Sequence, residues 1–235
     1  MAANALQAQV PLGLLGDVVS EGGKSGEGLD LKKYGSRIFV DAARKAVFQI
    51  EPVQTFVDKH VIDYLKGQPY ILSKLNDELS RIDVGVEGLR FQEGPDGPFP
   101  LFKHSGLQVE MPWLLESHGT RAFIKMFPLL LQALDSGGVV GIDEMDAAIH
   151  PVVLPELVRW FYDKAGRNKY DAQLWLTCHS ASLLDDLNKE EIVVCEKDRP
   201  GRPRVYSLMV VKGRRDENHY RKYLSGAYGG VPHLG

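Results

Sequence analysis

Apolar side chains follow two rhythms along this chain, and the change between them divides it. From Lys33 to about Ile82 they recur mostly at four-residue spacing: Phe39, Ala43 and Val47, then Phe56, Val61 and Leu65, then Ile71, Leu75 and Leu79. Such spacing gathers apolar groups on one face and predicts two or three amphipathic helices, with breaks at Pro52 and at Gln68-Pro69. Val84 to Gln92 alternates loosely, as a strand does, and Leu101 to Val109 reads as its hairpin partner. Residues 93–100, with three prolines and two glycines, form the turn-rich connector between them. Beyond Trp113, helical and continuously apolar segments alternate. The pattern predicts helices from Arg121 to Leu134 and from Pro155 to about Ala165, and a short one at 182–187. It predicts strands within 137–144, 172–178, 191–196 and 204–210. Pro128 removes a hydrogen bond inside the first of these helices, about 3 kcal/mol in an ideal interior, so a kink or restart near Phe127 is expected. Short strands alternating with helices predict an α/β fold, a sheet with helices packed on its faces.

Composition narrows the function classes. A chain of 235 residues, 44% hydrophobic and 25% charged, has room for one large domain or two small ones, and needs no metal or disulfide to fold. The net charge of −3 gives no global basic field, so any nucleic-acid contact is local. Two cysteines, Cys178 and Cys195, are too few for a disulfide scaffold and suit a reducing compartment. The first residues lack the basic start and apolar core of a signal peptide, and no apolar run approaches the roughly 20 residues that cross a bilayer. A cytoplasmic, non-membrane location is the expectation. Residues 1–36 hold seven of the 24 glycines and read as a flexible lead-in.

Three motifs carry chemistry. The run from Val139 to Ile142 reads as a strand buried on both faces, and it ends in two carboxylates, Asp143 and Glu144, at the sheet edge where open α/β folds bind ligands. One carboxylate of such a pair can hold a hydrated Mg²⁺ while its neighbour orients or deprotonates a water. An acid pair after a strand also arises as an ordinary helix cap. The second motif, Leu174 to Ser180, again ends a strand in a polar residue, His179, suited to hydrogen-bonding a phosphate oxygen, though a histidine there also serves as a plain loop residue. The third, Glu116-Ser117-His118-Gly119-Thr120, precedes the long apolar helix. Its Ser, Gly and Thr offer backbone N–H groups to an anion, or simply an N-cap.

Taken in this order and spacing, the motifs resemble the C-terminal half of ABC-class ATPase heads, the group that includes RecF-like and SMC-like proteins. Residues 116–120 look like the signature motif, 137–151 like Walker B with its D-loop region, and 176–180 like the switch histidine. The pattern Asp143, Glu144, Asp146, His150 and Pro151 is closer to the AAA ATPase-like proteins of bacterial phage-defence and restriction-associated loci, as are residues 195–208 and 214–232. The resemblance covers roughly residues 71–235. It implies a P-loop NTPase fold whose C-terminal lobe, residues 84–235, follows a helical insert at 37–83. ATP and Mg²⁺ are the implied cofactors. Asp143 would support the metal, Glu144 would be the catalytic carboxylate, and His179 would contact the γ-phosphate. Ser117, Gly119 and Thr120 would reach nucleotide on a second ATPase head, with Asp146 near the dimer seam. His150-Pro151 reads equally as a strand-to-helix turn.

A phosphate loop requires G-x-x-x-x-G-K-[ST], and the candidate Gly22-Gly23-Lys24-Ser25 has Val18 where the first glycine belongs. The N-terminal lobe bearing that loop is therefore expected to be missing, and the isolated chain to be inactive. Two readings stand: the C-terminal part of an ATPase that needs a Walker A half, or a degenerate module serving protein or DNA interactions. Retention of Asp143, Glu144 and His179 favours the first. Arg214, Arg215, Arg221 and Lys222, interleaved with Tyr220, Tyr223 and Tyr228, suit a nucleic-acid backbone or a surface helix with snorkelling stems. DNA and an effector nuclease enter as partners by resemblance.

Overall fold

A parallel sheet forms from strands that lie far apart in sequence. The computed structural model describes residues 38–41, 46–49, 58–82, 85–95, 97–147, 149–198, 200–211 and 218–231. Strands β1 (Ile38–Asp41), β2 (Ala46–Gln49), β6 (Val139–Ile142) and β7 (Gln173–Leu176) lie side by side in that order. β2, β6 and β7 run parallel, and β1 is antiparallel to β2. The helical expectation is thereby corrected at 38–41 and 46–49, within the segment 37–83 expected to be a helical insert. The four-residue spacing of Phe39, Ala43 and Val47 is also a multiple of the two-residue strand period, and Ile-Phe-Val and Ala-Val-Phe favour strands. Pairing of Val47 with Val140 then decides the element. The glycine-rich lead-in, residues 1–36, lies outside the described residues.

From Asp58 onward the helical spacing is realised, while Pro52 and Phe56 lie outside the described residues. Helix α1 (Asp58–Lys66) buries Val61 and Leu65, and α2 (Pro69–Ile82) buries Leu75 and Leu79. Pro69 opens α2 at a position where its missing N–H is no loss. β3 (Val86–Gln92) and β4 (Phe99–His104) make the expected hairpin, with a short third strand, β5 (Met111–Pro112), beside β4.

Helix α3 (His118–Ser136) runs through Pro128 without a restart. Phe123, Phe127, Pro128, Leu129 and Leu130 are all buried, and this packing outweighs the hydrogen bond that proline removes. Trp160 of α4 (Val153–Tyr162) meets Phe123 and Phe127 edge-on at 6.4 and 6.3 Å, each contact contributing about 0.5–1.5 kcal/mol beyond burial. Gly137 ends α3 in the left-handed region (φ 67°), where a Cβ would lie 2.3 Å from the Tyr170 carbonyl oxygen, and the chain turns directly into β6. After β7, residues Ala181–Asp186 form a 3₁₀ segment rather than the expected short α-helix. β8 (Val193–Lys197) and β9 (Pro203–Ser207) pair apart from the main sheet. The short helix α5 (His219–Leu224) lies against that 3₁₀ segment.

Candidate functional site

The carboxylate pair and the histidine meet at the C-terminal ends of β6 and β7, as their places after two adjacent parallel strands require. The ladder continues one step past both strands: Thr177 N–H donates to the Ile142 carbonyl at 3.0 Å, and Met145 N–H to the Thr177 carbonyl at 3.0 Å. These bonds bring the two turns together. Glu144 sits in the left-handed region at φ 47°, unusual for a side chain with a Cβ. Its Oε1 lies 3.9 Å from His179 Nε2, and both side chains are 41% exposed, within reach of solvent or a ligand.

Thr177, which the sequence reading passed over, joins the pair. Its hydroxyl donates to Asp143 Oδ1 at 2.5 Å and accepts the Glu144 N–H at 2.8 Å. Asp146 Oδ2 accepts the His179 backbone N–H at 2.9 Å. Asp146 is therefore part of this cluster. The one signal for Thr177 was a hydroxyl at a strand end, two residues before the histidine.

Electrostatically the corner is acidic: Asp143, Glu144 and Asp146 fall within four residues. Burial, together with the Asp146 charge, pushes the neighbouring Cys178 thiol up to about 12, so it is no nucleophile near neutral pH. Among the described residues, no group of three or more His, Cys, Asp or Glu side chains is arranged to hold a metal by itself. Magnesium needs no such cage. It is commonly held by one or two carboxylates plus waters and substrate phosphates, and a half-buried Asp143 with one oxygen already fixed by Thr177 suits that habit.

The Ser117, Gly119 and Thr120 group forms a second corner at the start of α3. Ser117 is the N-cap: its Oγ accepts the Thr120 N–H at 3.0 Å and lies 2.7 Å from the Thr120 hydroxyl. The buried Glu116 accepts the Ser117 N–H at 2.6 Å through Oε1, and its Oε2 lies 2.9 Å from His104 Nε2. His150 Nδ1 accepts the Val152 N–H at 3.3 Å, the behaviour of a strand-to-helix turn. Near the C-terminus Tyr228 is buried with Leu184, Ile192, Val194 and Leu208, and Lys222 lies 6.0 Å over its ring. Tyr228 is thus spent on packing and is not presented for base stacking, while Arg214 and Arg215 lie outside the described residues.

The family described as "AAA domain, putative AbiEii toxin, Type IV TA system" matches residues 38–185, which hold both turns and both corners. The chain belongs to this AAA domain family. A second family, described as "Putative nucleotidyltransferase substrate binding domain", matches residues 1–51, most of which lie outside the described residues. The chain is also similar to a solved structure reported under "Structural biochemistry of ATP-driven dimerization and DNA stimulated activation of SMC ATPases". Identity is 14% and the TM-score 0.45, over 62% of this chain and 87% of that one. No curated protein matches. Among the described residues of this AAA protein, no helix is long and apolar enough to cross a membrane.

Proposed function

We propose that this chain supplies the Walker B and switch-histidine part of an ATP-hydrolysing ABC-type ATPase, and that a separate segment supplies the phosphate loop. The observation that carries this reading is the convergence of Asp143, Glu144 and His179 at the ends of two adjacent parallel strands, tied by Thr177. Asp143 would hold Mg²⁺, which when bound shields the phosphate charges. Glu144 takes a proton from water as the water oxygen bonds to the γ-phosphorus; the bond from that phosphorus to the bridging oxygen breaks, and ADP leaves with the electron pair. His179 donates a hydrogen bond to a γ-phosphate oxygen. Ser117, Gly119 and Thr120 serve a second head across a seam, a role that rests on the family resemblance. A phage-defence or DNA-associated setting rests there too.

The sheet supports one place of entry for the phosphate loop. Among the described strands, β7 pairs on one side only, with β6. A largely apolar cavity of about 460 Å³ runs along it, bordered by Phe161, Trp175, Leu183 and Ile192. A strand added parallel to β7 would deliver its following loop to the edge where Glu144 and His179 stand.

The test is reconstitution. The chain alone is expected to hydrolyse no ATP above background. Joined to a strand–GxxxxGK[ST]–helix lobe it gains turnover, and Glu144→Gln then abolishes that turnover while ATP binding persists. Turnover unaffected by Glu144→Gln would remove Glu144 from the chemistry. An assembly that binds ATP and never hydrolyses it would make the chain a non-catalytic interaction module.

A further inference from the structure

The turns after β6 and β7 are tied twice, in opposite directions. From β7, the buried Thr177 hydroxyl reaches back to Asp143 Oδ1 and receives the Glu144 N–H. From the β6 turn, Asp146 reaches forward to the His179 N–H. The other oxygen, Asp146 Oδ1, is buried and has no hydrogen-bond partner among the described residues. An unpaired buried carboxylate oxygen is unfavourable, so packing does not explain the residue. What it provides is one acceptor, aimed at the histidine backbone. Glu144 shows the complementary need. A left-handed backbone at a residue with a Cβ persists only where its surroundings fix it, and the Thr177 hydroxyl fixes it by holding that N–H.

We propose that Thr177 and Asp146 are positioning residues whose reciprocal bonds hold the Glu144 carboxylate facing the His179 imidazole. The purpose of that arrangement rests on the ATPase reading; its geometry does not. Neither residue touches the reacting atoms. Thr177 acts through Glu144 and Asp143, and Asp146 acts through His179.

The experiment uses NMR on the full chain without nucleotide. It follows hydrogen exchange of the Glu144 and His179 amides and the NOE between the His179 ring and the Glu144 side chain. In the unaltered chain both amides are protected and the NOE is present. Thr177→Val, which keeps shape and loses the hydroxyl, speeds exchange at Glu144 on the order of tenfold and removes the NOE, leaving the His179 amide protected. Asp146→Ala does the reverse for the amides and also removes the NOE. Thr177→Ser and Asp146→Asn, which keep the acceptors, restore protection and the NOE. Unchanged exchange in both the Val and Ala variants would overturn the proposal, as would Ser and Asn variants that behave like Val and Ala. Should Thr177→Val unfold the chain, the Asp146→Ala and Asp146→Asn pair decides. In the two-lobe assembly both disruptive variants lower kcat at least about tenfold with KM nearly unchanged. The expected exchange and NOE pattern, in an assembly that never hydrolyses ATP, would sink the ATPase reading and leave the positioning in place.

Discussion

The corner at the start of α3 and the corner at the ends of β6 and β7 are both polar, and they spend their polar groups differently. At α3, Ser117 caps its own helix, and Glu116 is divided between the Ser117 N–H and the His104 ring. Nearby, Asp58 accepts from Trp113 Nε1 at 2.8 Å and from Lys125 Nζ at 2.6 Å. Its acceptors are matched from within. At the sheet end the bonds lie behind the functional groups: Thr177 and Asp146 hold backbones and one oxygen of Asp143, while the Glu144 and His179 side chains remain exposed. The acceptors of one corner are taken up by their own neighbours, while the other leaves two side chains open to solvent. Substitutions should therefore fail in opposite ways.

The largest stability effect belongs to the closed corner. Glu116→Ala leaves the Ser117 N–H and the His104 ring without their buried acceptor, and is expected to destabilise by about 2 kcal/mol. A urea midpoint equal to that of the parent would show the corner to be looser than described. The open corner should respond with the other sign. Glu144→Gly relieves the left-handed strain but gains unfolded-state entropy, and is expected to stabilise by about 0.5–1 kcal/mol while removing the carboxylate proposed to act on water. A less stable Glu144→Gly chain would mean the side chain is structural after all.

The smallest effect is one of pH. Burial raises the Asp58 carboxyl, but hydrogen bonds from Lys125 and Trp113 and the nearby Lys125 and Arg121 charges hold it below its ordinary value. A carboxyl lowered in the folded state stabilises above its unfolded value of about 3.9, and that contribution disappears as pH falls through the folded value. Asp58→Asn should thus be less stable by on the order of 0.5 kcal/mol at neutral pH, with the gap closing in acid. A gap that widened in acid would reverse the assignment. Denaturant midpoints of the two chains across pH measure it.

Local signals carried the open corner and most of the helices. The β-branched run ending in Asp143-Glu144 and the strand ending at His179 were visible because each is a continuous stretch with its own period. Long-range pairing was not. Phe39, Ala43 and Val47 fit a helix as well as a strand until Val47 is set against Val140, more than ninety residues away. Thr177 was illegible for the same reason: its two partners come from the neighbouring turn, and nothing in Leu-Thr-Cys-His states which acid a hydroxyl will meet. Asp146 was visible as an acid, yet its bond to the His179 N–H depends on two turns being adjacent in space. Pro128 does not restart its helix, because a propensity argued from one helix leaves out the aromatic packing around it.

Among the described strands, β7 is paired on one side only, and that edge bears on how the protein is handled. An unpaired strand edge offers its N–H and C=O groups to any extended segment it meets, another copy included. With Trp175 48% exposed on that strand, such encounters are apolar as well as hydrogen-bonded, and they multiply with concentration. An edge of this kind couples the behaviour of the purified chain to its concentration, and co-production with the proposed phosphate-loop lobe would be as much a purification strategy as an enzymological one.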